Sequence, residues 1–260
     1  YFALASHALS EAEYGRITLL WSAVFITVSV LYRPVEQLLS RTIADRDVRG
    51  VRGNEHLRVA ATIQLGLAAL FVVVALLLRG PIEDGLFDGS DALFKIMLLT
   101  VLAYAASYFA RGWLAGHQWF GLYGGLVLME ACSRCLFALA VAVGIADGQT
   151  AVALGVLAAP IVSLAVVPWA LGRHVRTAGP GPEREDEFTL AHGGGFAVAV
   201  LVIMLSEQTF LNAGPLLVQG SSGAALAGFV FNVLLIARAP LQLFQAVQTS
   251  ILPHLTRLRA

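Results

Sequence analysis

Three groups of ionisable residues sit inside long apolar stretches of this 260-residue chain. Such groups cost about 2.5–3.5 kcal/mol each near a bilayer centre, so they face a protein interior or a hydrated cavity. Arg33 and Glu36 flank Pro34, with Gln37 alongside. Their spacing suits either an interfacial Arg that snorkels and pairs with Glu36, or a cavity cation held beside a proline kink. Glu130 and Arg134 lie four residues apart in LVLMEACSRCLF, the favourable order for an i,i+4 pair, and read as a neutralised structural ion pair fixing one helix against its neighbours. Arg238, Gln242, Gln245 and Thr249 follow steps of 4, 3 and 4. At 100° per residue they fall within about 60° of arc, a narrow polar stripe on an otherwise apolar helix. Pro240 removes a backbone donor within that helix and favours a kink. No acid lies within a turn of Arg238, so its counter-charge is elsewhere in the protein or on a ligand. The stripe suits a cavity lining or hydrogen bonding between helices. Glu207, in LSEQTF, is a possible coupling or cavity carboxylate, a partner for Arg238, or an interfacial group.

Other fragments carry less chemistry. Thr100, Tyr104, Ser107, Tyr108 and Arg111 recur at helical spacing and read as packing and interface anchoring. Cys132-x-x-Cys135 has redox spacing but no βαβ context, and reads as small core residues. His192-Gly-Gly-Gly195 resembles a hydrolase oxyanion loop, yet there is no G-x-S-x-G elbow, so it reads as a hinge opening a helix. Glu83, Asp84, Asp88 and Asp91 cluster in PIEDGLFDGSD; a solvated loop is the simpler reading beside a metal-binding loop of a membrane glycosyltransferase. The six histidines form no i,i+3 or i,i+4 ligand pair. No catalytic, metal or cofactor site is expected, and without a P-loop any energy for work comes from a gradient or a partner.

The elements that position these residues are apolar helices. Hydrophobic residues make 58% of the chain before glycine is counted, against about 45–50% with glycine in soluble domains. Charged residues make 13%, about half the usual share, and the mean hydropathy is +0.76. A soluble globule could not bury this much apolar surface, so the chain reads as an integral membrane protein. The net charge of zero gives no field for nucleic acid, and two cysteines give no disulfide framework. A bilayer core needs about 20 apolar residues per helix, and seven segments meet that: 17–39, 57–78, 92–110, 119–143, 150–171, 193–213 and 224–250. Barrel strands are not indicated, because no ten-residue segment alternates. Tyr1–Leu9 reads as the tail of a preceding helix. The loop with Arg41, Arg46, Arg49, Arg52 and Arg58 and its alternates hold eleven basic residues, against three on the other side. The positive-inside rule makes the Arg-rich loops cytoplasmic. TAGPGPEREDE, residues 177–187, is the one linker-like stretch and reads as a boundary between bundles.

Three stretches carry a family resemblance: LSEAEYGRITLLWSAVF leading to RPVEQLLSRTIADR; YFARGWLAGHQWFGLYGGLVLMEACSRCLFAL, which holds Glu130 and Arg134; and AGFVFNVLLIARAPLQLFQAVQTSILPHLTRL. Together the chain resembles the polysaccharide and lipid-oligosaccharide flippases of the multidrug/oligosaccharidyl-lipid/polysaccharide exporter superfamily. The resemblance implies an all-α, polytopic transmembrane bundle, part of a twelve-helix, two-lobed exporter fold. Residues 1–176 would then hold the end of helix one through helix six of the N-terminal lobe, 177–189 the cytoplasmic linker, and 190–260 helices seven and eight. Arg33-Pro34 with Gln37 loosely echoes Arg238-x-Pro240 with Gln242, as pseudo-repeated lobes around a central site would. The implied function is alternating-access flipping of a polyprenyl-pyrophosphate-linked sugar or polysaccharide precursor across a bacterial inner membrane. Arg33 and Arg238 would attract the pyrophosphate, and Glu36, Gln37, Gln242 and Gln245 would line its site. The partners implied are the lipid-linked precursor and membrane lipids, for a monomer acting with envelope-biosynthesis enzymes. A multidrug/cation antiporter of the same fold, a membrane-embedded glycosyltransferase, and a scaffold that has lost transport are the alternatives.

Overall fold

The computed structural model describes residues 1–50, 53–168, 172 and 190–258, and the side chains of all of these except 48, 190–197, 199, 210, 211 and 241–258. Every regular element among the described residues is helical: α1 (Phe2–Ala8), α2 (Glu11–Leu31), α3 (Arg33–Arg49), α4 (Glu55–Leu77), α5 (Arg79–Phe87), α6 (Asp91–Gly116), α7 (Phe120–Ala142), α8 (Gly148–Ser163) and α9 (Leu190–Leu258). A short 3₁₀ turn, Leu164–Val166, extends α8. Six stretches are long and apolar enough to cross a membrane, Glu11–Asp47, Glu55–Leu77, Asp91–Gly116, Phe120–Ala142, Gly148–Val166 and Asn212–Pro240. The chain is therefore a multi-pass helical membrane protein by length and composition. The expected linker at 177–189 lies outside the described residues.

Local sequence explains where several helices start and bend. Ser10 and Glu13 form a capping box at the start of α2, the Glu13 carboxylate accepting from the Ser10 backbone at 3.1 Å. Pro34 stands in the first turn of α3, where its missing N–H costs no hydrogen bond. Because Tyr32 stays in right-handed helical geometry, α2 and α3 run on as one long stretch. The acidic segment after Arg79 differs from the solvated loop expected there. It forms α5, and three of its four acids are paired: Asp88 with Arg16 at 3.1 Å, and Glu83 and Asp91 with Arg79 at 2.9 and 2.8 Å.

The expected spans 193–213 and 224–250 both fall in α9, whose backbone leaves helical geometry at Gly223 (φ 82°, ψ 173°). Only glycine adopts that conformation without strain. The two arms fold back on each other there. Arg238 reaches Asn212 at 3.0 Å, whereas 26 residues of straight helix would hold them about 39 Å apart. The apolar stretch Asn212–Pro240 is thus shared between two arms. The described apolar part of the first arm, Val200–Thr209, is shorter than a span.

The core lies where α2, α6 and α8 meet, with Ile17, Leu20, Val24, Ile96, Met97, Val101 and Val152 fully or almost fully buried. α4 instead turns Leu65, Leu70, Val73 and Leu77 outward, as a helix facing hydrocarbon would. Close approaches of helices use glycine. A Cβ on Gly15 would fall 2.0 Å from the Ala224 carbonyl of α9, and one on Gly116 2.6 Å from Ile43 Cβ of α3. Gly112 and Gly116 form a G-x-x-x-G face on α6 that lets α3 lie against it.

Candidate functional site

That α3–α6 contact carries Glu36 and Arg111 to the same level, and α7 brings a second acid to them. Glu130 is 3% exposed and accepts three bonds or contacts: Arg111 Nη2 at 2.5 Å, Ser107 Oγ at 2.7 Å and Arg134 Nη1 at 3.8 Å. Arg134 also donates to Tyr104 Oη at 3.1 Å and stacks over Trp21 at 5.0 Å. Arg111 lies over the Tyr108 ring at 4.7 Å. Ser163 of α8 closes the group, 3.5 Å from Ser107. One carboxylate is thus shared by two guanidiniums across four helices. The network rests on the bonds to this one carboxylate, Arg111 Nε being buried without a partner among the described residues, and loss of the acid leaves uncompensated charge.

The i,i+4 spacing predicts Arg134 as the partner of Glu130, and it stands within ion-pair range. The shorter contact comes from Arg111, which the sequence reading placed at the interface. Tyr104, Ser107, Tyr108 and Arg111 had been visible as a periodic polar row; only the packing shows that the row faces Glu130.

Glu36 sits half-buried at the edge of this network and accepts from Tyr123 Oη of α7 at 3.0 Å. Arg33 is exposed and makes no ion pair among the described residues, so the i,i+3 pairing with Glu36 does not form. Gln37 is half-buried beside them.

Arg238 is part-buried, and its guanidinium donates to the neutral Asn212 Oδ1, while Asn212 Nδ2 donates to Gln208 Oε1 at 2.8 Å. Glu207 is half-buried and is not its partner. Among the described residues no carboxylate neutralises Arg238. Gln208 and Asn212 belong to a buried stripe of the first arm with Met204 and Gln219, a set the sequence reading did not single out. The side chains of Gln242, Gln245 and Thr249, and of His192, lie outside the described residues. Neither Arg33 nor Arg238 lines either of the two cavities described, one between α4 and α6 and one between α1 and the start of the second arm of α9.

The remaining groups are structural or unengaged. Cys132 is exposed on α7 rather than in the core, Cys135 is half-buried, and both are free thiols. No cluster of three or more metal-ligating side chains occurs among the described residues. Comparison with known proteins finds no matching family model, no matching curated protein and no matching solved structure.

Proposed function

We propose that this protein is a transporter that moves an anionic, lipid-linked sugar, of the polyprenyl-pyrophosphate class, from the cytoplasmic to the outer leaflet by alternating access. The observation that carries the reading is Arg238. It is a permanent cation in an apolar helix, bonded to an amide instead of a carboxylate. An amide orients a guanidinium without cancelling its charge, which leaves the cation available to a phosphate through paired donors. Pro240 two residues from Arg238 and Pro34 beside the exposed Arg33 give two cationic positions next to prolines, an arrangement that suits a rocking two-bundle carrier. The two guanidiniums of the Glu130 network, by contrast, face Glu130 and, for Arg111, also Glu36, and this group serves as a fixed scaffold for the helices around it. The acids at the α5 end are tied to Arg16 and Arg79, which disfavours a glycosyltransferase metal loop.

Arg238→Ala in the full-length protein is expected to abolish translocation of a fluorescent polyprenyl-pyrophosphate sugar in reconstituted vesicles, with insertion and folding retained. Translocation at the wild-type rate would remove Arg238 from the mechanism. One observation favours a second reading, a proton-coupled cation antiporter: Glu36 is a half-buried carboxylate held by a tyrosine. Under that reading Glu36→Gln stops proton-driven efflux of a cationic dye, while Arg238→Ala leaves it intact.

A further inference from the structure

Arg238 is held by two amides of the first arm of α9, and both are shut away from water: Gln208 is 2% exposed and Asn212 6%. They stand four residues apart, the spacing at which a glutamine and an asparagine bond along one helix face, and Asn212 Nδ2 donates to Gln208 Oε1 at 2.8 Å. The second arm meets them because the Gly223 turn brings it back. The arms lie close there, since a Cβ on Gly214 would fall 3.1 Å from Leu234 Cδ1. Of the three residues in the row, only Arg238 stays partly exposed.

The order of donors along this row is forced. A guanidinium can only donate, so Asn212 must turn its oxygen toward Arg238 Nη1, and it does so at 3.0 Å. The Asn212 amide nitrogen then needs an acceptor in a place nearly closed to water, and Gln208 Oε1 is that acceptor. Without it the asparagine would bury an unpaired donor, or turn over and set N–H against N–H. Gln208 therefore acts on Arg238 through Asn212. The result is a guanidinium fixed in place with its charge intact. A long side chain fixed before its ligand arrives loses less freedom on binding. A carboxylate at position 212 would hold Arg238 as firmly, but would cancel the charge at the same time.

We infer, on the reading of Arg238 as the phosphate-binding cation, that Gln208 and Asn212 are its positioning residues. Asn212 aims the guanidinium and leaves its charge for the anionic substrate, and Gln208 fixes which way Asn212 faces.

The test is translocation of a fluorescent polyprenyl-pyrophosphate sugar by the full-length protein in reconstituted vesicles, over a range of probe densities that gives KM and kcat separately. Asn212→Asp keeps the shape and supplies a counter-charge, and is expected to raise KM at least about tenfold. Gln208→Leu is expected to raise KM at least about fivefold and to change kcat less than about twofold. Because Gln208 acts through Asn212, adding Gln208→Leu to Asn212→Leu is expected to raise KM by less than a further factor of about two, whereas independent effects would multiply. Gln208→Leu, which exchanges one buried side chain for another of similar size, decides the matter if the Asn212 variants do not fold. A wild-type KM in Asn212→Asp or in Gln208→Leu, or multiplying effects in the double variant, would overturn the two positioning roles. The transport reading would still stand in that case, provided that Arg238→Ala abolishes translocation. Wild-type translocation by Arg238→Ala would overturn both.

Discussion

Charge compensation separates the buried arginines into different roles. Arg111 and Arg134 share Glu130, and Tyr104, Ser107 and Ser163 fill out the hydrogen bonds around it. Removing the acid alone leaves two buried cations facing each other, so Glu130→Gln is expected to destabilise the protein by about 3–5 kcal/mol. The double change Glu130→Leu with Arg111→Leu removes charge in a pair and should cost less. Equilibrium unfolding in mixed micelles measures both, and a Glu130→Gln variant as stable as wild type would show that the network bears no weight. Arg238 and Arg46 form the other kind, cations whose protein contacts do not neutralise them. The transport prediction rests on that difference. Arg238→Lys should also fail to restore full activity, because an ammonium lacks the planar fork that grips a phosphate in two places.

Helix contacts explain why such groups meet. Gly112 and Gly116 face Glu36, Leu39 and Ile43 with almost no space to spare, and this contact sets the height of Arg111 relative to Glu36. Gly116→Ala places a methyl 2.6 Å from Ile43 Cβ. Overpacking of that kind costs about 1–3 kcal/mol. A lower unfolding temperature for Gly116→Ala, with Gly121→Ala as a control at a glycine that has open space around it, is the expected outcome; equal effects would deny the close α3–α6 approach. The Gly223 turn has a comparable part in α9, since it returns Arg238 to Asn212.

For the whole molecule, one end gathers Arg46, His56 and His117, and the other gathers Arg16, Arg79, Asp88 and Asp91. The excess of arginine in the loops of the first end sets the expected orientation. In a background with Cys132 and Cys135 replaced by serine, Asn54→Cys should react with a membrane-impermeant maleimide only after the cells are opened. Asp84→Cys, on exposed α5, should react in intact cells. The reverse pattern would invert the topology.

Composition and periodicity alone determined that the chain is helical and built to lie in a membrane, because hydrophobic burial depends on residue type summed over twenty-residue windows. They also marked Glu130, Arg134 and Arg238 as residues that need partners, since an ionisable group in an apolar run is anomalous wherever it points. Which partner each one takes was decided only by tertiary packing. Glu130 meets Arg111 because two glycines let α6 close on α3 and α7 joins them, and Arg238 meets Asn212 because a left-handed Gly223 turns the chain back. Neither meeting is written in local spacing: the i,i+4 rule reaches one turn, whereas these pairs are 19 and 26 residues apart. Arg46 escaped notice for the same reason. In the sequence it is one of several loop arginines, and only the fold buries it.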